Sequence, residues 1–192
     1  MGLDIVNPPP AFLFVPTIIV FDASTTWVVP PGVSKVYGQN WGGGGSGGAS
    51  GVTARAGNGG GGEYRAGTIV TSPGESLTIN IGLGGAGVTE SHDGNPGGDT
   101  NIKRGGTTLL EAKGGGPGLQ ASGAHGAGGT GGTGSEGIDG QYGGSGGSSP
   151  KGGWGSGATG QPPGGGSLGA NSINSSGDGA HGRIVIMYWQ PA

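Results

Sequence analysis

Three strings in this chain have the form of the sharp turn that presents a catalytic serine. G-x-S-x-G occurs at residues 44–48, 143–147 and 165–169. That chemistry needs a strand before the serine and a helix after it. None of the three is followed by apolar residues at helical spacing. In a chain with 55 glycines among 192 residues such strings arise by composition alone. Glu90, His92 and Asp93 are residue types that ligate metals, but they sit together in a polar loop and read as a solvated turn. Residues 134–142, GSEGIDGQY, partly match a calcium-binding nonapeptide repeat. The copy stands alone and has Gln141 where that architecture buries an aliphatic side chain. His125 and His181 are isolated and read as loop hydrogen-bonders. No catalytic residue, metal or cofactor is expected.

The large side chains in the glycine tract are more informative. Tyr142 and Trp154 lie far from any strand, in segments with no apolar periodicity to bury them. They read either as binding anchors or as caps on the ends of a glycine bundle. The candidate contact loops are residues 90–95, 119–125, 136–142, 148–154, 161–163 and 168–176. Their larger side chains are Leu119, His125, Ile138, Gln141, Tyr142, Lys151, Trp154, Gln161, Leu168 and Ile173. Small polar groups with a few rigid large ones resemble the mixture that antibody loops use.

Elements must hold these loops. All glycines except Gly2, Gly32 and Gly38 lie between Gly42 and Gly182, and the flanks read as strands. Residues 17–21 (TIIVF), 25–29 (TTWVV) and 33–41 are β-branched or aromatic, with a Pro30-Pro31-Gly32 turn between the last two. Residues 183–189 (RIVIMYW) are apolar on both alternating faces, as in a covered strand. Residues 64–82 read as two strands joined at a turn over residues 72–75. Residues 99–113 read as a hairpin with its tip at residues 104–107. No window of 12 residues has helical spacing without glycine inside it. The expected fold is all-β: a small antiparallel, jelly-roll-like sandwich with an inserted glycine-rich bundle. Its parts are an apolar, Pro-rich arm or first strand (1–21), sandwich strands (22–113), a glycine-rich region (114–182) and a closing strand (183–192).

Glycine loses more conformational freedom on ordering than any other residue, so ordered glycine needs a compensating interaction. Residues 128–148 carry glycine at every third position, the period of the polyproline II helix. That helix has no internal hydrogen bonds, and its backbone groups need partners on neighbouring helices. A bundle turning near residues 136–142 would satisfy them. A collagen-like stalk shares the period but lacks proline in these seven triplets; a disordered tract is the third reading.

Formal charge is −3, with 8 basic and 11 acidic residues, which gives no footprint for nucleic acid. There is no cysteine, hence no disulfide framework. The apolar start is short, lacks a basic leader and is interrupted by Pro8–Pro10 and Pro16, so neither a signal peptide nor membrane insertion is expected.

The order of blocks TTWVVPPGVSKVY, WGGGGSGG, GGGGEYRAGTIVTSPGESLTINIGLGGAG, GGDTNIKRGGTTLLEAKGGGPG and GAHGRIVIMYW resembles the glycine-rich domains of bacteriophage tail-fibre and tail-tip proteins. The resemblance covers residues 22–189, and a similar order occurs in the glycine-rich ectodomain of anaplastic lymphoma kinase-type receptors. It implies a sandwich carrying polyglycine II helices, with the loops between helices binding the host surface. It further implies a non-enzymatic virion adhesin whose partners are a host cell-surface protein or glycan and other tail components. A homotrimer is an expected assembly. The arm, through Ile5, Phe12 and Phe14, would dock onto the virion. The rival expectation is a tail, baseplate or capsid-decorating protein that contacts only other virion parts. One strand departs from the pattern, with Gly38 and Asn40 where β-branched residues are usual. A glycine helix packed on that face is the expected compensation.

Overall fold

The computed structural model describes residues 14–50, 56–120, 132–143, 147–153, 159–170 and 175–191. Among them the chain is all-β, with two antiparallel sheets. The strands are β1 (Phe14–Phe21), β2 (Thr25–Val28), β3 (Lys35–Trp41), β4 (Tyr64–Val70), β5 (Ser76–Asn80), β6 (Thr100–Arg104), β7 (Thr107–Ala112), β8 (Glu136–Ile138) and β9 (Arg183–Pro191). One sheet has the order β1-β9-β3-β4-β8 and the other β2-β5-β6-β7. The closing strand β9 thus reaches across the glycine tract to lie between β1 and β3. The turn at residues 72–75 passes the chain from one sheet to the other, whereas residues 104–107 close a true hairpin.

Alternation sets the core. Val36, Ile69, Ile184 and Ile186 from one sheet meet Leu77, Ile79, Ile102 and Leu110 from the other, all buried. Each such side chain stabilises the fold by about 1.5–3 kcal/mol relative to exposure. Trp27 and Tyr188 close one end with ring centroids 5.9 Å apart. Two expectations are corrected. The face at Gly38 is filled from the opposite sheet, not by a glycine helix: a Cβ there would stand 2.9 Å from Leu110 Cδ2 and 3.3 Å from Ile102 Cδ1. Beside it, buried Asn40 donates across the sandwich to the Leu110 carbonyl at 3.2 Å. The second correction concerns β9. Ile184, Ile186 and Tyr188 are buried, but Trp189 on the other face is exposed, so the strand is covered on one side.

The glycine segments form a bundle of extended helices around residues 42–49. Gly42, Gly45 and Gly48 donate to the carbonyls of Glu63, Gly60 and Gly57. Gly43, Ser46 and Ala49 donate to Gly98, Asn95 and His92, and Gly44 donates to Ala180. Partners on one neighbour therefore recur every third residue, the signature of a three-residue helix. The carbonyls point to three further neighbours: Gly43 and Ser46 accept from Gly115 and Gly118, Gly44 from Gly85, and Gly45 and Gly48 from Ser167 and Ala170. The outer segments also bond to one another in a closed ring. Links such as Gly60 to Gly116, Gly97 to Gly115, Gly98 to Leu83, Gly179 to Gly85, Ala180 to Gly165 and Gly59 to Ser167 complete it. Six segments surround one, and the ring alternates between chains running outward and chains running back.

This relocates the expected bundle. Residues 128–131 and 144–146 of the three-residue repeat lie outside the described residues. Within that repeat, Glu136–Ile138 is not a turn but the edge strand β8, paired with β4.

Candidate interaction surface

The bundle gives the molecule two poles. Strands β3, β5, β7 and β9 join the bundle at Trp41, Asn80, Ala112 and Arg183. The central segment then runs about 28 Å outward, at ~3.1 Å per residue over nine residues. At its far end, Ala49 and His92 exchange backbone hydrogen bonds at 2.9 and 3.2 Å. Gly57 donates to Leu119, Ala170 to Gly48, and Ser176 to Val88. Asp93 Oδ1 accepts the Gln120 N–H at 2.8 Å, which ties two loops together. At the opposite pole, Phe14 and Pro191 are register partners. The residues that flank four loops are thus gathered at one end, and the two ends of the described sandwich at the other.

The candidate residues divide between places. Leu119 is at the far pole with Glu90, His92 and Asp93, and Leu168 lies in an outward segment leading there. His92 Nδ1 is 2.8 Å from the Thr89 carbonyl, so this nitrogen carries the proton and donates. Glu90 adopts a left-handed φ of 52° at the tip of its turn. Among the described residues no group of three or more His, Cys, Asp or Glu converges as a metal site would require.

Ile138, Lys151 and Gln161 belong to the other end of the bundle, against the sandwich. Ile138 pairs with Tyr64 in β8. Trp41 Nε1 donates to the Pro150 carbonyl at 3.0 Å, and the Trp41 and Tyr64 rings meet at 5.1 Å. Lys151 Nζ sits 4.6 Å over the Tyr64 ring, a cation–π contact that fixes this loop to the sheet. Burial, followed by the nearby Glu136 carboxylate, raises the Tyr64 phenol pKa, and the hydroxyl donates to Gln39 Oε1 at 2.9 Å. The Gln161 carbonyl accepts from Gly165. Gln141 bonds Gly61 and Ser148 through its backbone, and Tyr142 stands exposed on the bundle's flank. His125, Trp154, Ile173, Ile5 and Phe12 lie outside the described residues, as does the Phe14 side chain.

Three polar residues in or beside the glycine strings do structural work that residue type alone did not reveal. Ser46 and Ser167, from two of the G-x-S-x-G strings, turn their hydroxyls into the bundle: Ser46 Oγ accepts from Asn95 at 2.7 Å and Ser167 Oγ from Gly47 at 3.0 Å. Glu63, fully buried, accepts from Arg65 Nε at 2.8 Å, from the Lys113 N–H at 2.9 Å and from the Gly132 N–H at 3.0 Å. It stitches β4 to two other segments where the sandwich becomes the bundle. Its signal in the sequence is an acidic residue placed directly after four glycines and two residues before Arg65.

A family model for the glycine-rich domain matches residues 20–163. The chain belongs to that family. In this glycine-rich domain the match takes in the sandwich from the end of β1 through β8 and most of the bundle. It stops before β9, although β9 fills the gap between β1 and β3. No curated protein matches the chain.

Proposed function

We propose that this glycine-rich domain is a non-enzymatic bacteriophage virion protein, a tail-fibre or tail-tip adhesin that holds a host cell-surface protein or glycan through its far pole. The observation that carries the reading is the gathering of four loop flanks at one end of a hydrogen-bonded bundle, with Phe14 and Pro191 at the other. A rigid support lowers the entropy lost when loops engage a ligand. Several copies on one virion would raise avidity without new contacts. Binding is reversible and involves no bond-making step.

The test is competition. Purified protein should block adsorption of its phage to host cells, and Leu119→Ser with His92→Ala should weaken that block at least tenfold while melting as the parent does. Protein that neither binds cells nor competes, or a double variant that competes undiminished, would overturn the assignment. The structural alternative, a protein that contacts only other virion parts, draws on the exposed apolar face of β1 and β9.

A further inference from the structure

The sheet containing β1 has a second face, turned away from the core. Cross-strand partners share a face, so the register reads out its rows. Ile18 pairs with Met187, Met187 with Tyr37 and Tyr37 with Thr68, a row across four strands. Val20 with Val185, and Pro16 with Trp189, flank that row on either side. Ile18 is 64% exposed, Trp189 63% and Val20 50%. Beside Ile18 and Trp189 lies a groove of about 440 Å³, lined also by Pro16, Tyr37, Thr68 and Met187, with Lys35 as its single charged lining residue.

Among the described residues the bordering edge is also uncovered. Outer strands in native sheets are usually short, charged or covered. Strand β8 has three residues and begins with Glu136, β2 has four, and Glu111 of β7 is bridged by Thr133. Strand β1 runs for eight residues without a charged side chain.

We propose that this face packs against the same face of a second copy of this chain. The choice of occupant rests on charge and area. Across β1, β9, β3 and β4 the rows carry only Lys35, and the Val20 row ends on β8 at Glu136, which accepts a hydrogen bond from Tyr37; one charge of each sign leaves no excess for an oppositely charged partner to read. Three rows across four strands cover roughly 17 by 19 Å, on the order of 300 Å² in projection. An apolar patch of that size is comparable with the largest that a typical monomer exposes, and such patches are often functional. Two copies together bury roughly 600–1,000 Å², at the low end for a specific interface, so association is weak and concentration-dependent. The face runs along the strands from the Phe14 pole towards the bundle. Copies packed about an axis parallel to the strands therefore present their far poles on the same side.

Sedimentation velocity of the full chain, from micromolar to submillimolar concentration, tests this. The mean mass of the parent should rise with concentration. Ile18→Glu, and separately Thr68→Glu at an already exposed position, should remain monomeric with an unchanged circular dichroism spectrum. The second variant keeps the test decisive if the first fails to fold. A parent that stays monomeric throughout, or association that survives Thr68→Glu, overturns the proposal. So does a chain that self-associates only once residues 1–13 are deleted, because the face would then be covered by the protein's own N-terminal segment.

Discussion

The Ser167 hydroxyl mediates between Gly47 and a backbone that Gly47 does not reach. It accepts the Gly47 N–H at 3.0 Å and donates to the Gly177 carbonyl. Three residues earlier on the central helix, Gly44 donates directly to Ala180. One side chain thus takes the place of a backbone bond, and the three-residue rhythm continues past it.

Ser167→Ala should therefore leave a buried donor and a buried acceptor without partners. The expected loss is about 1–3 kcal/mol of unfolding free energy, read by denaturant titration. Amide exchange at Gly47 should accelerate more than at Gly45. Equal exchange at the two positions would show that the hydroxyl is dispensable.

Glycine at the centre of the bundle is required for close approach. A Cβ on Gly45 would strike the Gly116 carbonyl, whereas one on Gly106 in the β6–β7 turn meets nothing within 4 Å. Gly45→Ala should cost about 1–3 kcal/mol or more through overpacking. Gly106→Ala should stay within about 0.5 kcal/mol of the parent. The comparison is made by melting the two variants side by side, and similar losses would contradict a backbone-to-backbone interior.

Acid should loosen the sandwich at one identifiable pair. Arg104 donates to both Glu75 carboxylate oxygens, at 2.8 and 2.9 Å, and this hydrogen bonding lowers the Glu75 pKa from its ordinary 4.5. Because the folded value is depressed, the stabilisation is complete above the ordinary carboxylate range and is lost as pH falls through the folded value. Arg104 is largely exposed, so the effect should be under about 1 kcal/mol. Denaturant titrations at neutral and acid pH, with Glu75→Gln as reference, should show the parent's advantage disappearing in acid. An advantage that persists in acid would dissociate the pair from stability.

The sandwich was legible because its strands carry side chains that alternate. Residues 77–81 advertise their pleat, 17–21 and 183–189 their β-branched and aromatic content, and Arg104-Gly105-Gly106-Thr107 its turn. The bundle was harder to place. A repeat of glycine at every third residue is required only where a helix packs on one side. A helix surrounded by six neighbours tolerates bulk nowhere, and residues 42–50 are accordingly Gly, Ser and Ala throughout, with no period to detect. Glycine also carries no side chain that could encode which distant segment it meets. The same limit hid the division of the candidate loops between two places, because Lys151 looks like any loop lysine until Tyr64 lies beneath it.

The alternation of outward and returning chains around the central helix has an evolutionary corollary. Each out-and-back pair is bonded along its length mainly through main-chain atoms, with Ser167 and Asn95 each adding a side-chain link. Lengthening or rewriting a tip alters no bond in the shaft. If the far pole binds as proposed, the architecture works as a socket with interchangeable bits, in which mutation can explore new specificities at the tips while the shaft tolerates almost none.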